Sequence, residues 1–258
     1  MTEEPKDAPE RIAKVLSRRG ICSRREAERL IAEGMVSVNG EVLTSPAIKV
    51  DAAAIITVQG KQVQQAGRSR LWRYHKPTGL LTTHSDPKGR PTVFEKLPAD
   101  LPRLVSIGRL DFNSEGLLLL TNDGGLSRAL ELPSNGWRRR YRVRVHGAPK
   151  TDELARLTKG IRLDGELLKA EAVEIDSTRG ANTWLTIVLL EGKNREVTRL
   201  FDAIGAQVNR LIRTAYGPFQ LGSLTRGEID EVPHKVLREQ IGSMLESQTV
   251  KQNANRRR

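Results

Sequence analysis

The stretch "RRRYRVRVHG" at residues 138–147 alternates with period two, which is the pattern of a strand with one face on a core and the other toward solvent. "WLTIVLLEG" (184–192) reads as a longer, more apolar strand. "LWRYHKP" (71–77), "GLLTTHSD" (79–86), "VSIG" (105–108) and "LLLLTND" (117–123) read as further short ones. Helical patterns over "LSRALEL", "TDELARLTKG" and "REVTRLFDAIG" are scattered among them without a regular βαβ rhythm. The expected fold is therefore α+β, with a mostly antiparallel sheet flanked by helices in a domain over residues 71–240.

The preceding segment, 10–57, has its own organisation. "RIAKVLSRRG" places Ile12, Val15 and Leu16 at helical spacing and stops at Gly20, a residue suited to a helix C′ position. "CSRREAERLIAEG" opens with Ser23 and returns Glu26 three residues later, the signature of a capping box. "MVSVNGEVL" turns at Asn39-Gly40, a strong hairpin signal, and "KVDAAAIITV" reads as one more strand. Between the two domains, residues 58–70 are rich in Gln and Gly and read as a linker, with a strand at its start. Residues 1–9 and the basic tail 241–258 carry no periodicity and are expected to be disordered.

Charge narrows the class of partner. The chain has 43 Lys and Arg against 31 Asp and Glu, a net charge of +12 over 258 residues. An excess of this size favours a polyanion, since neutralising phosphates releases condensed counterions. A single cysteine, Cys22, excludes a disulfide framework within the chain, and the four histidines have no metal-ligand spacing. The acidic start "MTEEPKDAPE" lacks an apolar targeting core, and the longest apolar runs are too short for a membrane span. A cytoplasmic protein without metal, cofactor or membrane partner is expected. Lacking a heptad pattern, it is expected to be a monomer.

Within this basic chain, "GRLDFNSEGLLLLTNDG" (108–124) sets Asp111 beside Arg109 on a loop between two apolar runs. Such loops present reactive groups well, although "DFNS" also suits an ordinary turn. Glu115 invites a reading of two cooperating carboxylates.

The order of motifs resembles a known family. "SRREAERLI…VNG" is similar to the S4 RNA-binding domain. "HKPTGLLTTHSDPKGRPTVFEKLP", "GRLDFNSEGLLLLTNDG", "RRRYRVRVHG", "LLEGKNREVTRLFDAIG" and "VNRLIRTAYGPF" resemble, in the same order, the pseudouridine synthases that carry an S4 domain. "DPKGRPTVFEKLP" and "GKNREV" are more similar to the large-subunit pseudouridine synthase B branch than to the small-subunit branch. The resemblance implies isomerisation of uridine to pseudouridine in ribosomal RNA: the C1′–N1 bond breaks and C1′ joins C5 of the same base. No cofactor is implied.

By the same resemblance Asp111 is the catalytic carboxylate, either attacking C1′ or removing a 2′ proton. A base within a stem must be flipped out to reach it. Arg109 matches the arginine that fills the gap left behind, Tyr141 the tyrosine that stacks on the flipped base, and Leu211 an apolar residue of the uracil pocket. The family places a basic residue after "REV", where this chain has Thr198, so Arg195 or Arg199 is expected to supply the charge beside Asp111. Arg18, Arg19, Arg24, Arg25 and Arg29 form the candidate RNA grip of the S4-like helices. Arg138, Arg139, Arg140, Arg142, Arg144, Arg210 and Arg213 are candidate phosphate contacts of the larger domain. The Thr198 departure leaves a second expectation open, a non-catalytic RNA-binding or ribosome-assembly factor on the same scaffold.

Overall fold

The computed structural model describes residues 9–242. Apart from residue 9 and residues 241–242, the expected leader and tail lie outside the described residues. The chain forms two compact units. Among the described residues, one comprises residues 9–69 with Asp100–Val105 and Asn122–Gly124, and the other the remainder of residues 70–242.

In the first unit, β1 (Glu10–Arg11) pairs antiparallel with β4 (Lys49–Val50). Helix α1 (Ile12–Arg18) buries Ile12, Ala13, Val15 and Leu16. The Ser23 side chain caps α2 (Arg24–Ala32) by accepting the Glu26 N–H at 3.1 Å. The hairpin of β2 (Val36–Val38) and β3 (Glu41–Val42) turns on Asn39 and Gly40, both at positive φ, as a two-residue hairpin loop of this kind requires. Two expectations change here. "KVDAAAIITV" is not one strand: β4 and β5 (Ile56–Val58) belong to different sheets. The segment read as a linker opens on the end of β5, where a strand is expected, and is structured beyond it as well. Gln59-Gly60 makes a second positive-φ turn into β6 (Lys61–Gln62), completing the sheet β3-β2-β5-β6, and Val63 is buried. A Gln-Gly pair turns a hairpin as Asn-Gly does, and polar composition concealed it.

The second unit is built on a nine-stranded sheet. Its strands are β7 (Leu71–Lys76), β8 (Val105–Ile107), β9 (Glu115–Thr121), β10 (Arg139–His146), β13 (Ala172–Arg179), β14 (Asn182–Leu189), β15 (Val208–Tyr216), β16 (Phe219–Gln220) and β17 (Ile229–Glu231). The main path runs β13-β14-β10-β15-β9-β7-β17, with β16 on β15 and β8 on β9. Helices α3 (Gly124–Glu131), α4 (Thr151–Lys159) and α5 (Glu196–Asp202) and a small hairpin of β11 (Ile161–Leu163) and β12 (Glu166–Leu168) fill the connections. "GLLTTHSD" forms no strand; a single bridge, Leu81 to Thr92, is all it contributes. Residues 234–242 are helical, and Ile241 is fully buried in the core with Leu237, Leu117 and Leu119. The ordered chain thus runs past the expected boundary at 240, because an apolar side chain there has a core to enter.

One pairing breaks the antiparallel rule. β9 and β15 run parallel, with Ile212 opposite Glu115 and Arg213 opposite Gly116. Gly116 has φ +105°, and a Cβ there would lie 2.3 Å from the Arg213 carbonyl oxygen, so the two strands meet this closely only at a glycine.

Candidate active site

Asp111 sits between β8 and β9 on a loop whose backbone is tied down at almost every residue. The Gly108 N–H donates to Glu131 Oε1 at 2.7 Å. The Thr82 hydroxyl donates to the Leu110 carbonyl at 2.8 Å, and the Gly79 N–H to the Phe112 carbonyl at 2.8 Å. Lys76 Nζ donates to the carbonyls of Asp111 (3.0 Å), Ser114 (2.8 Å) and Pro77 (3.1 Å). With its main chain held from three directions, the loop presents the Asp111 side chain outward, where it is exposed.

Lys76 was not legible as a site residue. It is fully buried at the end of β7, on the same face as Trp72 and Tyr74. Burial lowers its ammonium to about pH 8, an effect partly offset by the negative charge of Asp111. Its signal in the sequence was a lysine falling on the apolar phase of an otherwise core-facing strand.

Asp111 lines a cleft of about 900 Å³ together with Arg109, Tyr141, Leu211 and Arg195. The four residues that the resemblance matched for chemistry and base handling, and one of the two arginines weighed against Thr198, therefore surround one cavity. Arg109 is exposed and, among the described residues, makes no hydrogen bond or ion pair. Tyr141 projects from β10 and is 8% exposed. Arg195 precedes α5 at φ +48° and is exposed.

Arg199 does not line the cleft, pairing instead with Glu166 at 2.7 Å and with Asp164 at 3.8 Å. Of the two arginines weighed against Thr198, only Arg195 reaches the cleft. Among the described residues no cation pairs directly with the Asp111 carboxylate. That side chain is exposed, so water also solvates its charge. Glu196, 4% exposed, accepts the Lys193 N–H at 3.0 Å and closes the loop before α5, and burial pushes its carboxyl up.

The reading of Glu115 as a second reacting carboxylate fails. Its side chain is 3% exposed, and its oxygens are held by Arg210 and, at 2.9 Å, by Arg226. Two of the expected phosphate contacts are corrected as well. Arg139 is 9% exposed and spends its donors on the carbonyls of Trp137 and Leu190, both at 2.8 Å, and on the Tyr216 hydroxyl. Arg213 is 3% exposed and donates to the Leu117 carbonyl at 2.8 Å. The two guanidiniums lie 4.9 and 5.2 Å from the Tyr216 ring centre, in the wall of the cleft. Alternation along β10 and β15 turns both inward, so they lend positive potential to the cavity rather than gripping a backbone at the surface. Arg138 is exposed but paired with Glu171. In the first unit Arg24 and Arg25 are exposed, Arg18 pairs with Glu10 and Arg29 with Glu26 and Glu33. Arg19 donates weakly to the Val63 carbonyl.

Comparison with known proteins now bears on this geometry. A model of the RNA pseudouridylate synthase family matches residues 70–203, and one of the S4 domain matches residues 10–56. The chain belongs to the RNA pseudouridylate synthase family. It is 48% identical over 229 residues to an uncharacterized RNA pseudouridine synthase of Rickettsia felis, covering 88% of this chain and 99% of that one. It is 41% identical to the ribosomal large subunit pseudouridine synthase B of Haemophilus influenzae, covering 99% of this chain and 75% of that one. A crystal structure of a pseudouridylate synthase superposes with a TM-score of 0.62 at 26% identity, covering 90% of this chain and 99% of that one. As a member of this family the protein is an isomerase acting on RNA, and its S4 domain is an RNA-binding module. No helix among the described residues is long and apolar enough to cross a membrane.

Proposed function

We propose that this synthase isomerises a uridine of large-subunit ribosomal RNA in the cytoplasm, acting as a monomer with Asp111 as its reacting carboxylate. The observation that carries the reading is an exposed aspartate on an immobilised loop, facing a cleft large enough for a flipped nucleotide. A group held this way is already oriented when substrate arrives, and that removes much of the entropic cost of the reaction.

Each surrounding residue has a role consistent with its setting. Arg109, exposed and unpaired among the described residues, enters the space vacated by the base. Tyr141 stacks on the extruded uracil, and Leu211 packs against it. The Asp111 carboxylate acts at the sugar, at C1′ or at the 2′ proton. The C1′–N1 bond breaks with its electron pair leaving on the base, and the base turns to offer C5. C1′–C5 then forms, while the proton on C5 is lost and N1 gains one. Electrons and atoms balance without an oxidant. Arg195, in the cleft wall, contributes positive charge near the reacting carboxylate. The exposed arginines of the S4 domain, Arg24 and Arg25, hold RNA phosphates.

The test is a map of pseudouridines across ribosomal RNA in a deletion strain, repeated after restoring the wild type or Asp111→Asn. One large-subunit uridine lost on deletion and regained only with the wild type is the expected result. If Asp111→Asn restores it as well, the carboxylate assignment fails. If no site changes in any strain, the protein is a binding or assembly factor instead.

A further inference from the structure

The arginines of β10 are divided by strand alternation between the two faces of the sheet. Arg139 and Tyr141 face the cleft, while Arg140, Arg142 and Arg144 stand on the opposite face. β14 alternates in the same phase, burying Leu185, Ile187 and Leu189 and leaving Trp184, Thr186 and Val188 half-exposed. Register sets Arg144 opposite Trp184 on one side and opposite Arg210 on the other.

The result is a half-exposed indole ringed by guanidiniums. Arg142 lies 4.7 Å, Arg210 5.6 Å and Arg144 5.8 Å from the Trp184 ring centre. Each guanidinium is also held in place from the side: Arg142 by Asp176 at 3.1 Å, Arg144 by Asn209 at 2.7 Å, and Arg210 by Glu115. Arg140, next along β10, is exposed and has no ion pair or hydrogen bond from its side chain among the described residues. Of the acidic groups on this face, Asp176 reaches from β13 to Arg142 and Thr186, Glu115 lies under Arg210 and Arg226, and Glu174 stands on the outer strand. Arg140 and Arg144 have no carboxylate partner among the described residues, and so carry the unpaired positive charge beside the indole.

We propose that this face, on the far side of the sheet from the reaction cleft, binds a single-stranded segment of RNA. Single strands are held by a cationic track along the backbone together with aromatic rings on which bases stack. Arg140, Arg142 and Arg144 supply the track, with successive side chains about 6.8 Å apart along the strand, and Trp184 supplies the ring. Guanidiniums already positioned against an indole lose little freedom when they engage a phosphate. A regular duplex keeps its bases stacked inside and gives Trp184 nothing to take, so the ring discriminates in favour of an unpaired strand. This surface rests on the RNA-binding reading of the protein but not on Asp111 or on the isomerisation.

Binding of a ten-nucleotide single-stranded RNA, and of a duplex of the same sequence, to the full chain tests the proposal. Anisotropy across a salt series and quenching of tryptophan fluorescence are the readouts. The single strand is expected to quench the wild type and to quench Trp184→Phe much less. Trp184→Ala should weaken single-strand binding about fivefold or more. Replacing Arg140, Arg142 and Arg144 together by Ala should lower the salt slope by about 2, from about 0.7 for each lost phosphate contact on a single strand. Arg140→Glu keeps the test clean, since an unpaired exposed side chain is not needed for folding, and should weaken binding about threefold or more. Equal affinity and slope in wild type and variants would overturn the proposal, as would duplex binding that the variants weaken just as much. Pseudouridine formation by the same wild-type preparation reports on the catalytic reading separately.

Discussion

Replacing Lys76 by methionine keeps the aliphatic stem in its slot and removes the ammonium that joins β7 to the Asp111 loop. Its three hydrogen bonds to main-chain carbonyls are worth about 1.5–3 kcal/mol each, as bonds from a charged donor. Against this stands the cost of burying the charge: lowering the ammonium from 10.5 to about 8 corresponds to about 3 kcal/mol. The balance is a net loss of about 3 kcal/mol for the variant at neutral pH. At about 2–4 °C per kcal/mol for a domain of this size, the melting temperature should fall by about 6–12 °C. The consequence for chemistry is larger, because a carboxylate displaced by about 1 Å loses about a hundredfold in rate. Turnover at saturating RNA should drop by about that factor while RNA affinity stays near wild type. The pH dependence has a definite sign. Below pH 8 the lysine is charged in both the folded and unfolded chains, and its burial penalty is constant. Between about 8 and 10.5 the unfolded chain retains a proton that the folded one has released, so wild-type stability gains over the variant as pH rises. Calorimetry from pH 7 to 10 together with single-turnover kinetics would check both. A variant with unchanged melting and unchanged turnover would refute the tether.

Two further predictions concern the cleft and the strand behind it. Gly116→Ala forces a Cβ to within 2.3 Å of the Arg213 carbonyl oxygen at a backbone angle of +105°, and should cost more than about 3 kcal/mol; a urea midpoint equal to wild type would contradict the close approach of β9 and β15. Arg195→Ala should slow single turnover by tenfold or more, whereas Arg199→Ala, which loses a partly exposed pair with Glu166, should cost less than about 1 kcal/mol of stability and leave the rate near wild type. Equal rates for the two variants would remove Arg195 from the site.

How far the sequence could be read depended on whether a residue's role was local. Ser23 with Glu26, and Asn39 with Gly40, act within a few residues of themselves, and the structure has the cap and the turn they predict. The alternation in β10 was equally plain, because period two survives in any sheet with one buried face. What alternation could not reveal was which face a given arginine takes relative to the cleft, so Arg139 and Arg213 were grouped with surface residues although both are buried. Lys76 failed for a different reason: its partners are carbonyls at residues 77, 111 and 114, and main-chain acceptors leave no trace in side-chain composition. The clamp of Arg210 and Arg226 on Glu115 depends on a parallel pairing between distant segments. The cluster of Asp111, Arg109, Tyr141, Leu211 and Arg195 about one cavity came from motif order, since no local signal joins residues so far apart in the chain.

The strand order also sets the order in which the molecule can be completed during synthesis. The sheet of the first unit closes between residues 36 and 62, so a nascent chain carries that fold early. In the second unit β9 waits for Ile212 and Arg213, and β7 waits for Ile229 to Glu231. Contacts so distant in the chain form slowly, after most of their loop entropy has been lost. β9 pairs with β7 once residue 121 has been made, but lacks β15 until residues 212 and 213 follow. The cleft that holds Asp111 is among the last features to exist, and the RNA-binding module is ready well before it.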